Sequence, residues 1–310
     1  MRRAAAALAA GFAALLPAPA FALPAGDHAI TLNVGRELRG YILHVPARLE
    51  PKPALVLNFH GGGGNAPAQQ KYSRMDAVAD REGFIVAYPD GTGPLDGQLE
   101  TWNAGGCCGS AVRDNVDDVG FVRRLLDDLM RRQAYDPARV YATGLSNGAM
   151  MTYRLAVELS DRIAAIAPVA GAIAIEHYPT SRPVPVLQIH SADDPRAPIG
   201  GGLGPPFPMT NMRVMHIAVE TALGDWAKAN GCGATMEQRE RKEWRGHTAT
   251  LFAYPNCSAE VLFWKLTGAG HVWPGGEPDY FPKLLGPGTA VIDANEEMWR
   301  FFKRHRASQK

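Results

Sequence analysis

The pentapeptide Gly144-Leu145-Ser146-Asn147-Gly148 sets a serine between two glycines, where the apolar run RVYATG from Arg139 gives way to the helix-like AMMTYRLAVEL. A strand before and a helix after give the pattern G-x-S-x-G mechanical meaning: the serine sits on a sharp turn with its hydroxyl exposed at a helix N-terminus. Such a turn costs ~1–3 kcal/mol of backbone strain, and the glycines permit the close approach it needs. A nucleophilic serine also needs a base and an acid, which in this arrangement follow it along the chain. VPVLQIHSADDP ends a strand-like run with Asp193 and Asp194, and LTGAGHVWPGG ends a later one with His271. His271 is the candidate base, and either aspartate could hold its imidazole in the right tautomer. Two amides are needed for the oxyanion. The backbone of Asn147 is one, and the glycine loop FHGGGGN, 59–65, offers Gly62 first and Gly63 next. The chemistry expected is two-step acyl transfer through a Ser146 acyl-enzyme, with no cofactor and no metal.

The rival readings are weaker. The glycine loop has neither G-x-G-x-x-G spacing nor a following Lys-Ser/Thr, so it does not read as a nucleotide site. Asp117 and Asp118 lack the alternating ligands of a calcium loop and suit a helix start instead.

Elements that could position these groups recur along the chain. AITLNV, RGYILHVP, ALVLNFH, FIVAYP, RVYATG, IAAIAPV, VPVLQIH, ATLFAY and EVLFWKLT read as strands, the first two as an antiparallel lead-in. Several are unbroken apolar runs, as in parallel strands buried on both faces. Helices are expected over 115–133 and near 69–81, 147–160, 213–230 and 293–305. The alternation predicts a mostly parallel, doubly wound α/β sheet with flanking helices. No internal repeat or tethering linker is visible, so residues 23–310 read as one catalytic domain. The Gly/Pro-rich tract 199–208 is expected to be a surface loop at the rim of the site.

Lysine and arginine number 32 against 31 acidic residues, so no global field would gather nucleic acid or an anionic membrane. Residues 1–22 have a basic start, a short apolar stretch and the pattern Ala20-Phe21-Ala22, which describes a secretory signal peptide and predicts a secreted or periplasmic product. Export permits disulfides. Cys232 and Cys257 flank two strand-like runs and suggest a clamp worth ~3–4 kcal/mol. Cys107 and Cys108 are neighbours, a geometry that strains a bond, so they are expected to be free or cross-paired.

HGGGGNA, WNAGGCCG, VDDVGF, GLSNGAMM, the H-x-x-x-D-P run at His190 and GAGHVWPGG together resemble the secreted poly(3-hydroxybutyrate) depolymerase-like esterases, a group that includes feruloyl and acetylxylan esterases. The resemblance runs from about residue 28 to 300. It implies an α/β-hydrolase fold, Ser146 as nucleophile, His271 as base and Asp194 as acid. Asp194 is preferred because the pattern is similar to H-G-x-x-D-x-x-x-P counted from His190, although Ser191 replaces its glycine. It also implies that Trp273, of the W-P-G-G run, lies near the site, and with Trp102 could wall the substrate. The implied substrate is a polyhydroxybutyrate-type polyester or its oligomers. The alternatives are a feruloyl or acetylxylan ester, or the amide bond of a polymer such as a poly(amino acid).

Overall fold

The computed structural model describes residues 23–307 apart from 36, 96, 176–179, 208–210 and 279, so the expected signal peptide lies outside the described residues. In chain order the elements begin with β1 (Gly26–Val34), β2 (Glu37–Val45), β3 (Leu55–Phe59), α1 (Ala66–Ser73), α2 (Asp76–Glu82) and β4 (Ile85–Pro89). Next come α3 (Gly109–Arg113), α4 (Asp118–Arg132), β5 (Val140–Leu145), α5 (Asn147–Glu158), β6 (Ala165–Val169) and β7 (Val186–Ser191). A small hairpin, β8 (Gly202–Leu203) with β9 (Met215–His216), precedes α6 (Val219–Ala229). The chain closes with β10 (Glu237–Trp244), β11 (His247–Ala253), β12 (Val261–Thr267), α7 (Pro282–Leu285) and α8 (Ala294–Phe302).

Among the described residues the strands form a ten-stranded sheet in the order β1-β2-β4-β3-β5-β6-β7-β12-β11-β10. The six from β4 to β12 are parallel, and antiparallel pairs close both edges. This mostly parallel sheet with flanking helices is the α/β-hydrolase fold. Alternate side chains leave the sheet on opposite faces. Leu55, Leu57 and Phe59 of β3 pack with Phe121 of α4, Leu155 of α5 and Trp226 of α6. Val56 faces the other way, with Tyr72 of α1, Val78 of α2 and Trp299 of α8.

Three local expectations change. The helix near 69–81 is two helices, because Arg74 adopts φ 55° and ends α1 before α2 begins. α6 starts at Val219 rather than 213, the preceding residues forming β9. β10, EQRERKEW, carries no apolar signal; it is an edge strand held by its backbone pairing to β11, and its charges discourage further pairing. Cys232 and Cys257 are bonded across β10 and β11, as the clamp reading requires. Cys107 and Cys108 are corrected: the two neighbours are bonded to each other, and their peptide bond is cis.

Candidate active site

β5, β7 and β12 run parallel in one sheet, so their C-terminal ends share an edge, which is where such sheets place ligands. Ser146 follows β5, Asp194 follows β7 and His271 follows β12.

Ser146 has φ 56° and ψ −116°, a conformation that only a tightly determined turn sustains in a residue with a Cβ. The flanking glycines are obligatory on steric grounds. A Cβ at Gly144 would stand 2.7 Å from the Phe59 carbonyl oxygen, and one at Gly148 would run into the carbonyls of Phe59 and His60. Ser146 N–H donates to Val169 O at 2.8 Å, which ties the turn to β6.

His271 is almost fully buried, and its Nδ1 donates to Asp194 Oδ2 at 2.7 Å. Asp194 Oδ1 accepts from the backbone N–H of Arg196 at 2.7 Å and of Ala197 at 2.8 Å. Burial alone would raise this carboxyl, but the His271 imidazole, His190 and the Ala197 amide outweigh it and hold its pKa below the ordinary carboxylate value. Asp193 faces elsewhere: its Oδ2 accepts from Gly268 N–H at 2.7 Å and fastens the loop after β12. Among the described residues, Ser146 Oγ and His271 Nε2 make no hydrogen bond, to each other or to another group, the loose arrangement common in sites without substrate.

The glycine loop approaches this turn closely. A Cβ at Gly61 would lie 3.5 Å from Ser146 Cβ, and one at Gly62 would lie 3.7 Å from Asn147 Cβ. Asn147 N–H is in the first turn of α5, where the helix offers it no acceptor. Gly63 is corrected as an oxyanion donor, because its N–H is already given to Glu100 O at 2.7 Å. Gly62 keeps that expectation.

Two supports of this loop were not legible beforehand. His60 Nδ1 lies 2.8 Å from Gly61 O, and Nε2 lies 3.0 Å from Gly91 N. A carbonyl can only accept and an amide only donate, so the ring is the neutral Nδ1–H tautomer. Burial pushes its pKa down to about 4. Because Gly61 O and Gly62 N–H belong to one planar peptide, holding the oxygen also aims the amide. The second support is the Asn147 side chain, whose Oδ1 accepts from Trp102 N at 2.7 Å while Nδ2 donates to Trp102 O at 3.0 Å. The Trp102 segment is fastened further by Asp118, whose carboxylate takes Asn103 N–H at 2.7 Å and Arg39 Nη2 at 2.6 Å.

Residues 39–217, more than half of the chain, match the family Esterase PHB depolymerase. The chain belongs to that family. This esterase is 34% identical over 279 residues to NocK of Nocardia uniformis subsp. tsuyamanensis, an esterase by name, a match covering 82% of this chain and 76% of that one. It is 30% identical to feruloyl esterase B of Piromyces equi over 70% of this chain, a span that covers 39% of the relative. Its fold superposes on the acetyl xylan esterase of Aspergillus awamori with a TM-score of 0.60 at 16% identity, covering 90% of this chain and 99% of that one. It is a carboxylic ester hydrolase.

In this esterase both tryptophans expected to wall a substrate are buried. Trp102 is fully buried, its Nε1 donating to His60 O at 3.0 Å and its ring set edge-on to Phe59. Trp273 is also buried, with Nε1 on Asn295 Oδ1 at 3.1 Å and its own N–H on the Tyr72 hydroxyl at 2.9 Å. Each is built into the scaffold. Among the described residues, Asp27, His44 and Asp76 could also hold a metal, their donor atoms lying within 4.8 Å of one another. They sit at the other end of the sheet, where His44 pairs with Val86 near the start of β4. No described helix is long and apolar enough to cross a membrane.

Proposed function

We propose that this esterase works through Ser146 as nucleophile, His271 as general base and acid, and Asp194 as the carboxylate that orients the imidazole. The observation that carries the reading is the 2.7 Å Asp194–His271 bond, set at the same sheet edge as the strained Ser146 turn. With Nδ1 committed to Asp194, only Nε2 remains to take the Ser146 proton. Oγ attacks the ester carbonyl, and the oxyanion is received by the amides of Gly62 and Asn147. Collapse expels the alcohol, protonated by His271. Water, deprotonated by the same imidazole, then attacks the acyl-enzyme and releases the acid. Asp194 stays ionised throughout, in keeping with its depressed pKa.

The family points to a 3-hydroxyalkanoate ester as substrate, as polyester or as released oligomer. A second reading, a feruloyl ester, is favoured by the 30% identity to feruloyl esterase B. Release of 3-hydroxybutyrate from its oligomers and of ferulate from methyl ferulate should be compared in one preparation, with Ser146→Ala as control. The first reading requires the oligomer to have the higher kcat/KM; the reverse order replaces it with the second. Activity surviving in Ser146→Ala would overturn the assignment of the nucleophile. We also read the chain as exported, since the Cys232–Cys257 bond suits an oxidising compartment and residues 1–22 have the composition of a signal peptide.

A further inference from the structure

Phe207 extends from the segment joining β8 to β9 onto the glycine loop. Its Cε1 and Cζ stand 3.3 and 3.4 Å from the point a Cβ on Gly62 would occupy, with Asn147 Cβ 3.7 Å from the same point. The ring edge therefore lies against Gly62, assigned above to the oxyanion, and borders the same space as Asn147 Cβ. Behind it lies an apolar cluster of Ala104, Cys107, Cys108 and Met150, each buried. Phe207 as a residue is only half-buried.

Backbone and side-chain contacts fasten this segment. Phe207 N–H donates to Met212 O at 2.8 Å. Arg196 Nη2 donates to the preceding carbonyl, Pro206 O, at 3.1 Å, and its guanidinium carbon lies 5.9 Å from the ring centroid. Arg196 N–H is itself bonded to Asp194. One strap of chain thus links the turn that carries the acid to the loop that carries the oxyanion amide.

The geometry of acyl transfer says which part of the ester meets this ring. In the tetrahedral intermediate one substituent, the oxyanion, points at Gly62 and Asn147. The leaving oxygen must receive its proton from His271, so the alcohol lies on the imidazole side. The acyl substituent takes the remaining direction. Phe207 stands against the oxyanion loop and an apolar cluster, so the acyl carbon chain is what lies along it.

We propose that Phe207, backed by Met150 and the Cys107–Cys108 pair, is the wall of the acyl subsite and selects esters with an apolar acyl chain of butyryl size or larger over acetyl esters. This rests on the reading of Ser146, Gly62 and Asn147 as the reaction centre. An acetyl group is too short to cover the ring, whereas a longer chain buries apolar surface against it in the transition state.

The test measures kcat/KM for p-nitrophenyl butyrate and p-nitrophenyl acetate in the parent protein, Phe207→Ala and Phe207→Leu. The butyrate-to-acetate ratio should fall about tenfold in Phe207→Ala and by less in Phe207→Leu, which keeps an apolar side chain. A ratio that stays constant, because both esters suffer equally, would make Phe207 a scaffold residue and overturn the inference; so would a rise. Phe207→Leu supplies the answer if the alanine variant does not fold. Labelling of Ser146 by a fluorophosphonate in the parent separates the two levels. No labelling sinks the reading of the centre itself, while labelling with an unchanged ratio sinks the Phe207 proposal alone.

Discussion

His271 Nδ1 donates to Asp194 Oδ2 at 2.7 Å across a sequence separation of 77 residues, while the adjacent Asp193 turns the other way to hold Gly268. The two aspartates are chemically identical and differ only in which face of the turn after β7 they occupy. Asp194→Asn should therefore lower kcat by about ten-thousandfold, since an amide at that position favours the wrong imidazole tautomer. Asp193→Asn should mainly cost ~1–2 kcal/mol of loop stability through its lost bond to Gly268. Steady-state kinetics and thermal melts on both variants check this, and equal losses of kcat would contradict it.

Asn147 has two separable parts. Its backbone N–H is the proposed oxyanion donor, and its side chain pairs with both polar groups of Trp102. Asn147→Ala keeps the amide but leaves the Trp102 N–H and carbonyl without these partners. The expected outcome is a fall in kcat of about ten- to a hundredfold with KM little changed, because the loss is in transition-state alignment. A change confined to KM would assign the side chain to ground-state binding instead.

His60 makes stability depend on acidity. Its pKa is lowered to about 4 by burial, from an ordinary value of 6.5. Between those two values the unfolded chain binds a proton that the folded chain does not, so acid favours unfolding. Its contribution is intact above pH 6.5 and is lost progressively as pH falls towards 4, reaching on the order of 3 kcal/mol. His216, also lowered to about 4 with burial as the largest cause, acts in the same direction. His60→Asn should flatten the acid limb of unfolding free energy against pH by its own share, as chemical denaturation at pH 4.5 and 7 would reveal. An unaltered slope would mean that His60 is charged in the folded protein.

The Cys232–Cys257 bond closes a loop with a sequence separation of 25 residues around β10 and β11. Removing it with Cys232→Ser and Cys257→Ser together should destabilise the fold by about 3.5 kcal/mol, chiefly by freeing the unfolded chain. Far from Ser146, the change should lower the melting temperature and leave kcat nearly unaltered at room temperature. A large loss of kcat in the folded double variant would show that the β10–β11 edge communicates with the site.

Some of this molecule was legible in single elements. The apolar runs of β3, β5 and β7 are fully buried, and burial on both faces is what removes polar alternation from a strand. β10 escaped because an edge strand with charged side chains is held by backbone bonds that leave no apolar trace. Trp102 and Trp273 misled for a related reason. An indole in a site-bearing motif can face substrate or core, and hydrogen bonds to His60 O and Asn295 Oδ1 hold both indoles inside.

Local chemistry determined what the sequence could say alone: glycines around Ser146 that only a tight turn needs, an order of serine, aspartate and histidine, and a period of burial that specifies a parallel sheet. Choices between near-equivalent groups were made by tertiary structure. Which aspartate meets His271, which glycine amide is already taken by Glu100 O and the pairing of Cys107 with Cys108 each depend on where a segment of the chain supplies or takes a partner. A hydrogen bond is directional over about 3 Å, so its partner is set by the packing of the whole domain and not by the residues beside it in the chain.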